Sequence, residues 1–185
     1  MKNYYETLQI VPVATIQEIK DAFRFLLFRY HPDHNKGKED WAVQQTMGLV
    51  EAYHILSDPL RRAHHDVLRT VKVREVAPPK KGLALFSKPS EKTRLAEESY
   101  KTGVEKFRGD EYEQAILAFR KAFDADPEYP NLRFNMAVSF LAIERFNDAL
   151  QWLQDHAGKN KEDLDARALY TKIGGLMSKR KAATG

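Results

Sequence analysis

Apolar residues in the first seventy positions recur at helical intervals. Thr15 and Glu18 have the spacing of a capping box, and Ile19, Ala22, Phe23, Leu26 and Tyr30 then fall on one face. This spacing predicts a helix of about fifteen residues. It must stop near Tyr30, because Pro32 disfavours helical geometry at His31 and a polar loop containing Asn35 and Gly37 follows. A second helix is expected from near Glu39, with Val43, Met47, Val50, Tyr53 and Leu56 on its buried face. Two such helices joined by a short loop should pack antiparallel. Ser57, Asp58 and Pro59 close the second helix and cap a third, short one that runs to about Leu68. Helices of this length are not stable alone, so burial of the apolar faces must hold them together.

The periodicity fails from Val71 to about Lys92, where Pro78, Pro79, Lys80, Lys81, Gly82 and Pro89 supply breakers and charge. The stretch contains one apolar patch, Leu83 to Phe86. Docking on a neighbouring domain and a loosely held loop both fit such a patch. Beyond it an internal repeat begins. Gly103 and Ala137, Phe107 and Leu141, Tyr112 and Phe146, Ala115 and Ala149, and Phe119 and Leu153 are each 34 positions apart. That period, with Gly109-Asp110-Glu111-Tyr112, Ala122 and Pro127 in place, resembles the tetratricopeptide repeat. Residues 96–129 and 130–162 read as two repeats, and Ala166, Leu169, Ile173 and Leu176 mark a capping helix over 163–181, weakened by Gly174-Gly175. The expected architecture is all-α: a helical hairpin domain over 1–70, a linker over 71–95 and a repeat module over 96–185. Two repeats and a cap are at the lower edge of stable stacking, so support from the first domain or dimerisation is expected.

Composition and charge narrow the possible functions. With 43% apolar and 30% charged residues the balance is that of an ordinary globular chain. No run of 18 apolar residues is present and the first ten residues hold no apolar core, so no membrane span or secretory signal is expected, and the cytosol is the expected site. The absence of cysteine excludes disulfides, thiolate zinc sites and cysteine nucleophiles. Residues 1–70 carry nine basic and nine acidic side chains, 71–95 carry seven and two, and 96–185 carry fourteen and fifteen. The net charge of +4 therefore sits in the linker, which reads as a solvated connector and not as a basic face for nucleic acid. No nucleophile, phosphate loop or carboxylate pair stands in a recognisable catalytic setting, so no enzymatic activity is expected. His31, His34, Asp33, His64 and His65 include no pair of ligands at i, i+4, so neither a metal nor another cofactor is expected.

The first half resembles the J domain of DnaJ-like co-chaperones. Asn3-Tyr4-Tyr5-Glu6-Thr7-Leu8 looks like the opening segment of that family, Glu18 to Tyr30 like its second helix, and His31-Pro32-Asp33 like its signature loop. Glu51-Ala52-Tyr53 and Leu56-Ser57-Asp58 match the third helix and its end. The resemblance implies docking on the ATPase domain of a DnaK-type heat-shock 70 chaperone and acceleration of ATP hydrolysis there. Asp33 would accept a bidentate pair from a partner arginine, Pro32 would fix the backbone that presents it, and His31 would supply a directed hydrogen bond. Lys20 and Arg24 would steer an acidic partner surface, and Asn35 matches a loop position that also contacts the chaperone.

Several positions depart from the family pattern. Asp21 and Phe25 stand where basic residues are common, Thr46 near a usual phenylalanine, His65 at a usual tyrosine, and Leu27 at an alanine. Asp21 and Phe25 weaken the positive face of the second helix, and the changes together leave the loop intact but bear on the strength of chaperone binding and on which paralogue is preferred. Phe25 projects away from the core stripe, which fits either contact with the linker patch or second domain, or an isolated surface aromatic.

The repeat resemblance implies a concave partner-binding surface. By position it would present Tyr100, Val104, Phe134, Val138 and Leu141, with Asn135 where a side chain commonly hydrogen-bonds a ligand backbone. The same residues also suit packing between repeats. Repeats that clamp acidic chaperone tails carry an asparagine where Val104 stands and basic residues where Asp165 and Leu169 stand. An extended apolar segment or a specific partner is therefore expected in preference to such a tail, with the repeats recruiting a client or partner protein. Without a glycine-phenylalanine stretch, a zinc module or a β-rich client domain, the chain resembles the minimal class that brings the chaperone to one task. A scaffold whose altered J domain no longer activates the ATPase is the alternative.

Overall fold

The computed structural model describes residues 2–76 and 90–184. Among these, every regular element is helical, and the chain divides into two compact units, Met1–Arg69 and Thr70–Gly185. The apolar patch at Leu83–Phe86 lies outside the described residues.

The first unit is built on a helical hairpin. Helix α1 (Tyr4–Thr7) is one turn. Helix α2 (Ile16–Tyr30) opens with the expected capping box: the Thr15 side chain accepts from the Glu18 N–H, and the Glu18 carboxylate accepts from the Thr15 N–H at 2.6 Å. Helix α3 (Glu39–Ser57) returns antiparallel, and α4 (Pro59–Thr70) follows with Asp58 accepting from the backbone N–H groups of Leu60 and Arg61 at 2.8 Å. The core holds Tyr5, Leu8, Ile19, Leu26, Leu49, Ala52 and Leu56, with Phe23 stacked on Tyr53 at 4.3 Å between ring centroids.

The expected stripe on α3 is corrected at three positions. Val43, Met47 and Val50 are 44%, 67% and 49% exposed, and the buried face is Ala42, Leu49, Ala52 and Leu56. The two faces lie roughly 140° apart around the helix. The observed face alternates alanine with leucine: Ala42 and Ala52 permit close approach of the neighbouring elements while Leu49 and Leu56 fill the core, and Val43, Met47 and Val50 lie on the other side.

Tyr5 anchors α4. Its hydroxyl donates to Asp66 at 2.8 Å and accepts from Arg62 Nε at 3.0 Å, while Arg62 Nη2 donates to the carbonyls of Pro12 and Ala14. Burial, the largest influence, pushes the Tyr5 hydroxyl up from its usual range.

In the second unit α5 (Glu91–Arg108), α6 (Tyr112–Ala125), α7 (Leu132–Ala142), α8 (Phe146–Lys159) and α9 (Leu164–Thr184) pack each on the next. The residues of the 34-position repeat make the contacts. Ala115, Phe119, Ala137, Leu141, Ala149 and Leu153 are fully buried. Ala166, Leu169, Ile173 and Leu176 are buried along α9, which continues through Gly174-Gly175. This unit starts earlier in the chain than residue 96. Residues 70–76 belong to it, and α5 begins within the span expected to be linker.

Candidate functional site

Two arrangements have the geometry of recognition sites, one in each unit. The first is the loop between α2 and α3. Helix α2 stops at His31, whose extended backbone (φ −63°, ψ 138°) suits a residue preceding proline, and Pro32-Asp33-His34 form a single 3-10 turn. Asp33 N–H donates to His31 Nδ1 at 3.3 Å, which leaves Nε2–H as the donor of the neutral ring. The Asp33 side chain is 84% exposed, and its Oδ2 lies 3.5 Å from His31 Nδ1. A rigid backbone thus presents a solvent-facing carboxylate beside an imidazole.

The support beneath this tip comes from Asn35 and Thr46. Asn35 Nδ2 donates to the carbonyls of Arg29 and His31, at 3.0 and 2.9 Å, and so satisfies the open end of α2. Thr46 Oγ1 donates to the Tyr30 carbonyl at 3.2 Å and ties α3 to the same end. Lys20 is half-buried and Arg24 is exposed on α2, with Arg24 Nη1 3.9 Å from Asp21 Oδ1. Phe25 is 65% exposed.

The second arrangement surrounds Arg74 in the repeat unit. Three of the six residues expected to line the groove converge on it: Tyr100, Phe134 and Asn135. Arg74 N–H donates to Asn135 Oδ1 at 2.8 Å, and Asn135 Nδ2 donates to the Arg74 carbonyl, also at 2.8 Å. One amide side chain therefore pairs both polar groups of one backbone residue. The Tyr100 hydroxyl donates to the same carbonyl at 2.5 Å and accepts from Asn135 Nδ2 at 2.8 Å. Burial drives the Tyr100 hydroxyl far above its usual range, so it acts here only in its protonated form. Val104, Val138 and Leu141 are buried in the repeat core.

The Arg74 side chain is held equally closely. Its guanidinium carbon lies 3.6 Å from the Phe134 ring centroid, a cation–π contact. Nη1 and Nη2 both donate to the Asp163 carboxylate, the second at 3.0 Å, and Asp165 Oδ2 stands 3.8 Å away. Asp163 is itself fixed by His156 Nε2 at 2.7 Å and by the Ala166 N–H at 3.0 Å. The Arg74 guanidinium, more than any other group, holds the Asp163 carboxyl well below the usual carboxylate range. On the next residue, Asn131 Nδ2 donates to the Glu75 carbonyl at 3.3 Å, and the Glu75 carboxylate pairs with Arg108.

Arg74, His156 and Asp163 carry no signal in the sequence. Arg74 sits in a basic, aperiodic stretch, and Asp163 follows the polar run Asn160-Lys161-Glu162 between α8 and α9. No group of three or more His, Cys, Asp or Glu side chains suited to a metal occurs among the described residues, and none of their helices is long and apolar enough to cross a membrane.

Comparison with known proteins assigns the two halves separately. Residues 3–66 match the DnaJ domain and residues 107–173 a tetratricopeptide repeat. The chaperone protein DnaJ of Clostridium acetobutylicum is 45% identical over 65 residues, 35% of this chain and 17% of that protein. Its counterpart in Bacteroides thetaiotaomicron is 40% identical over 65 residues, 35% of this chain and 16% of its own length. That of Orientia tsutsugamushi is 42% identical over 66 residues, 36% of this chain and 17% of its own. The chain thus spans about a sixth of the length of these curated relatives, all of it within the first half. No solved structure matches. The chain therefore joins a segment that matches the DnaJ domain, at residues 3–66, to one that matches a tetratricopeptide repeat, at residues 107–173.

Proposed function

We propose that this chain is a non-enzymatic co-chaperone that docks on a DnaK-type heat-shock 70 chaperone and stimulates its ATPase, while the repeat module recruits a client or partner protein. The single observation that carries the reading is the His31-Pro32-Asp33 tip, in which Asp33 is presented to solvent on a backbone fixed by Pro32 and braced by Asn35. Asp33 accepts a bidentate pair from an arginine of the chaperone, and His31 Nε2–H donates beside it. Lys20 and Arg24 add attraction to an acidic surface and act chiefly on the association rate. The bond-breaking step belongs to the chaperone, whose bound ATP is hydrolysed with water.

The test is binding of the full chain to purified DnaK-type chaperone in ATP, with His31→Gln and Asp33→Asn as variants. Wild type should bind and both variants should lose at least tenfold in affinity. Equal binding by all three would contradict the assignment of the tip. A scaffold reading is favoured by one feature, the Asp21 carboxylate 3.9 Å from Arg24, which dilutes the positive face of α2. Under that reading the chain binds through its repeats and leaves the ATPase rate of the chaperone unchanged.

A further inference from the structure

The repeat groove is expected to receive a segment of another protein, yet it already holds a segment of this chain. We propose that the groove is a receptor for an extended protein segment bearing an arginine, and that residues 71–76 are its built-in occupant, which an arginine-bearing partner displaces. The inference rests on the recruiting role assigned above to the repeat module and specifies what that module reads.

The backbone part of the site recognises conformation. One side-chain amide can pair the N–H and C=O of a single residue only when both point the same way, as they do in an extended strand. Asn135 makes that pair with Arg74, at 2.8 Å in each direction, and Asn131 reaches the following carbonyl at 3.3 Å. These contacts select an extended segment without regard to its side chains.

The side-chain part selects arginine. A planar guanidinium can stack on an aromatic face and present two parallel N–H groups to a carboxylate at once, which the point charge of lysine cannot do. Phe134 supplies the face and Asp163 the carboxylate, at 3.6 Å and 3.0 Å. Asp163 is held by His156 as well as by Arg74, and its side chain is only 15% exposed. A buried carboxylate with no cation to pair would be costly, which is the physical reason for a built-in occupant. Asp165, at a position where tail-clamping repeats carry basic residues, adds a second negative charge at 3.8 Å. The groove therefore has the opposite polarity to one that grips a carboxylate tail. A cleft of about 370 Å³ lined by Val73, Arg74, Phe134 and Leu169 lies alongside, so the built-in segment leaves room for contacts that a partner could add.

Occupation by residues 71–76 lowers the affinity of the groove for an outside segment by the fraction of time it stands open. Replacing Arg74 removes the competing guanidinium and should raise that fraction. The experiment uses the full chain and a fluorescein-labelled peptide with the sequence of residues 70–77, read by fluorescence anisotropy. Arg74→Ala should bind the peptide at least tenfold more tightly than wild type, and Arg74→Lys should fall between them. The same peptide with alanine in place of its arginine should bind Arg74→Ala at least tenfold more weakly. Adding Asp163→Asn, which retains a side-chain acceptor for the Ala166 N–H, should remove the preference between the two peptides.

Thermal melts of each variant check folding, and Arg74→Lys carries the test should Arg74→Ala melt early. Equal binding of the two peptides, or no gain from either Arg74 substitution, would overturn the inference. Because no chaperone is present, the result is independent of ATPase stimulation. If Tyr100→Ala, with the melt of wild type, lost capture of a cellular partner while the peptides remained indistinguishable, arginine reading would fail and recruitment by the groove would stand.

Discussion

Asp110 and Glu144, 34 positions apart, hold the same left-handed backbone, with φ of 61° and 58°. The hydrogen bonds around them are also in register. Asp110 N–H donates to the Phe107 carbonyl and Glu111 N–H to that of Lys106; Glu144 N–H donates to Leu141 and Arg145 N–H to Phe140. Each pair closes the first helix of a repeat with a Schellman motif, whose left-handed residue is ordinarily glycine or asparagine. In the first repeat the neighbouring Gly109 has φ −81°, so the strained position falls on the aspartate after it.

Glutamate is a poor occupant of that conformation. Replacing Glu144 with asparagine should stabilise the repeat unit by about 0.5 kcal/mol, whereas valine should cost about 1 kcal/mol. The exposed ion pair with Arg180, at 4.0 Å, contributes little to lose. Urea unfolding followed by Trp152 fluorescence in a Trp41→Phe background checks the order of the three.

Gly103 has a different reason to be small. A Cβ built there would meet Cδ1 and Cε1 of Phe119 at 2.5 Å. Gly103→Ala should therefore destabilise the unit by about 1–3 kcal/mol, despite the higher helix propensity of alanine. Combining it with Phe119→Leu should recover part of the loss, and the same tryptophan signal measures the coupling. Additive losses would show that the two positions do not press on one another.

Much of this architecture was legible in the sequence, because periodic burial and a 34-residue repeat are direct imprints of helix packing. The capping box at Thr15, the break at His31 and the buried repeat positions all emerged where the spacing put them. The α3 face emerged only in part: Leu56 is buried as expected, but two stripes of helical spacing compete along the rest of the helix, and periodicity alone does not choose between Ala42-Leu49-Ala52 and Val43-Met47-Val50. At the candidate sites, the resemblance to the two families singled out His31-Pro32-Asp33 and, by repeat position, Tyr100, Phe134 and Asn135, which lie together around Arg74. It gave no sign of Arg74 and Asp163, since a contact between an aperiodic segment and an interhelical loop leaves no periodic trace.

Asn35 and Asp33 should separate in their effects. Asn35 donates to two carbonyls at the end of α2, so Asn35→Ala should cost the first unit about 1 kcal/mol and blur the geometry of the tip. Asp33→Asn removes only an exposed charge and should leave stability within about 0.5 kcal/mol of wild type. Trp41 fluorescence in a Trp152→Phe background reports this unit alone. Similar losses for both would mean that the loop is held differently.

His65 should make the first unit sensitive to mild acid. It is buried against Tyr4 and Tyr5, its Nε2 has no hydrogen-bond partner, and burial is the main reason its pKa falls below the ordinary value of 6.5. Asp66 opposes the shift, and Arg69 and His64 reinforce it. With a depressed folded pKa, the unfolded chain takes up the proton first as pH drops. Stability is then fully present above pH 6.5 and is lost as pH falls below it towards the folded value. His65→Phe should flatten this dependence between pH 7.5 and 5, measured as the urea midpoint from Trp41. An unchanged slope would assign the sensitivity to other groups.

The most direct test of the co-chaperone reading is single-turnover hydrolysis of ATP by a DnaK-type chaperone, with and without saturating full-length protein. The rate should rise at least severalfold with wild type and return to the unstimulated value with His31→Gln or Asp33→Asn, both of which should retain the wild-type melt. Tyr100→Ala should still stimulate, since it lies in the other unit. No acceleration by wild type at saturation, with the chaperone responsive to its own DnaJ, would contradict the account and leave the chain as a repeat-based scaffold.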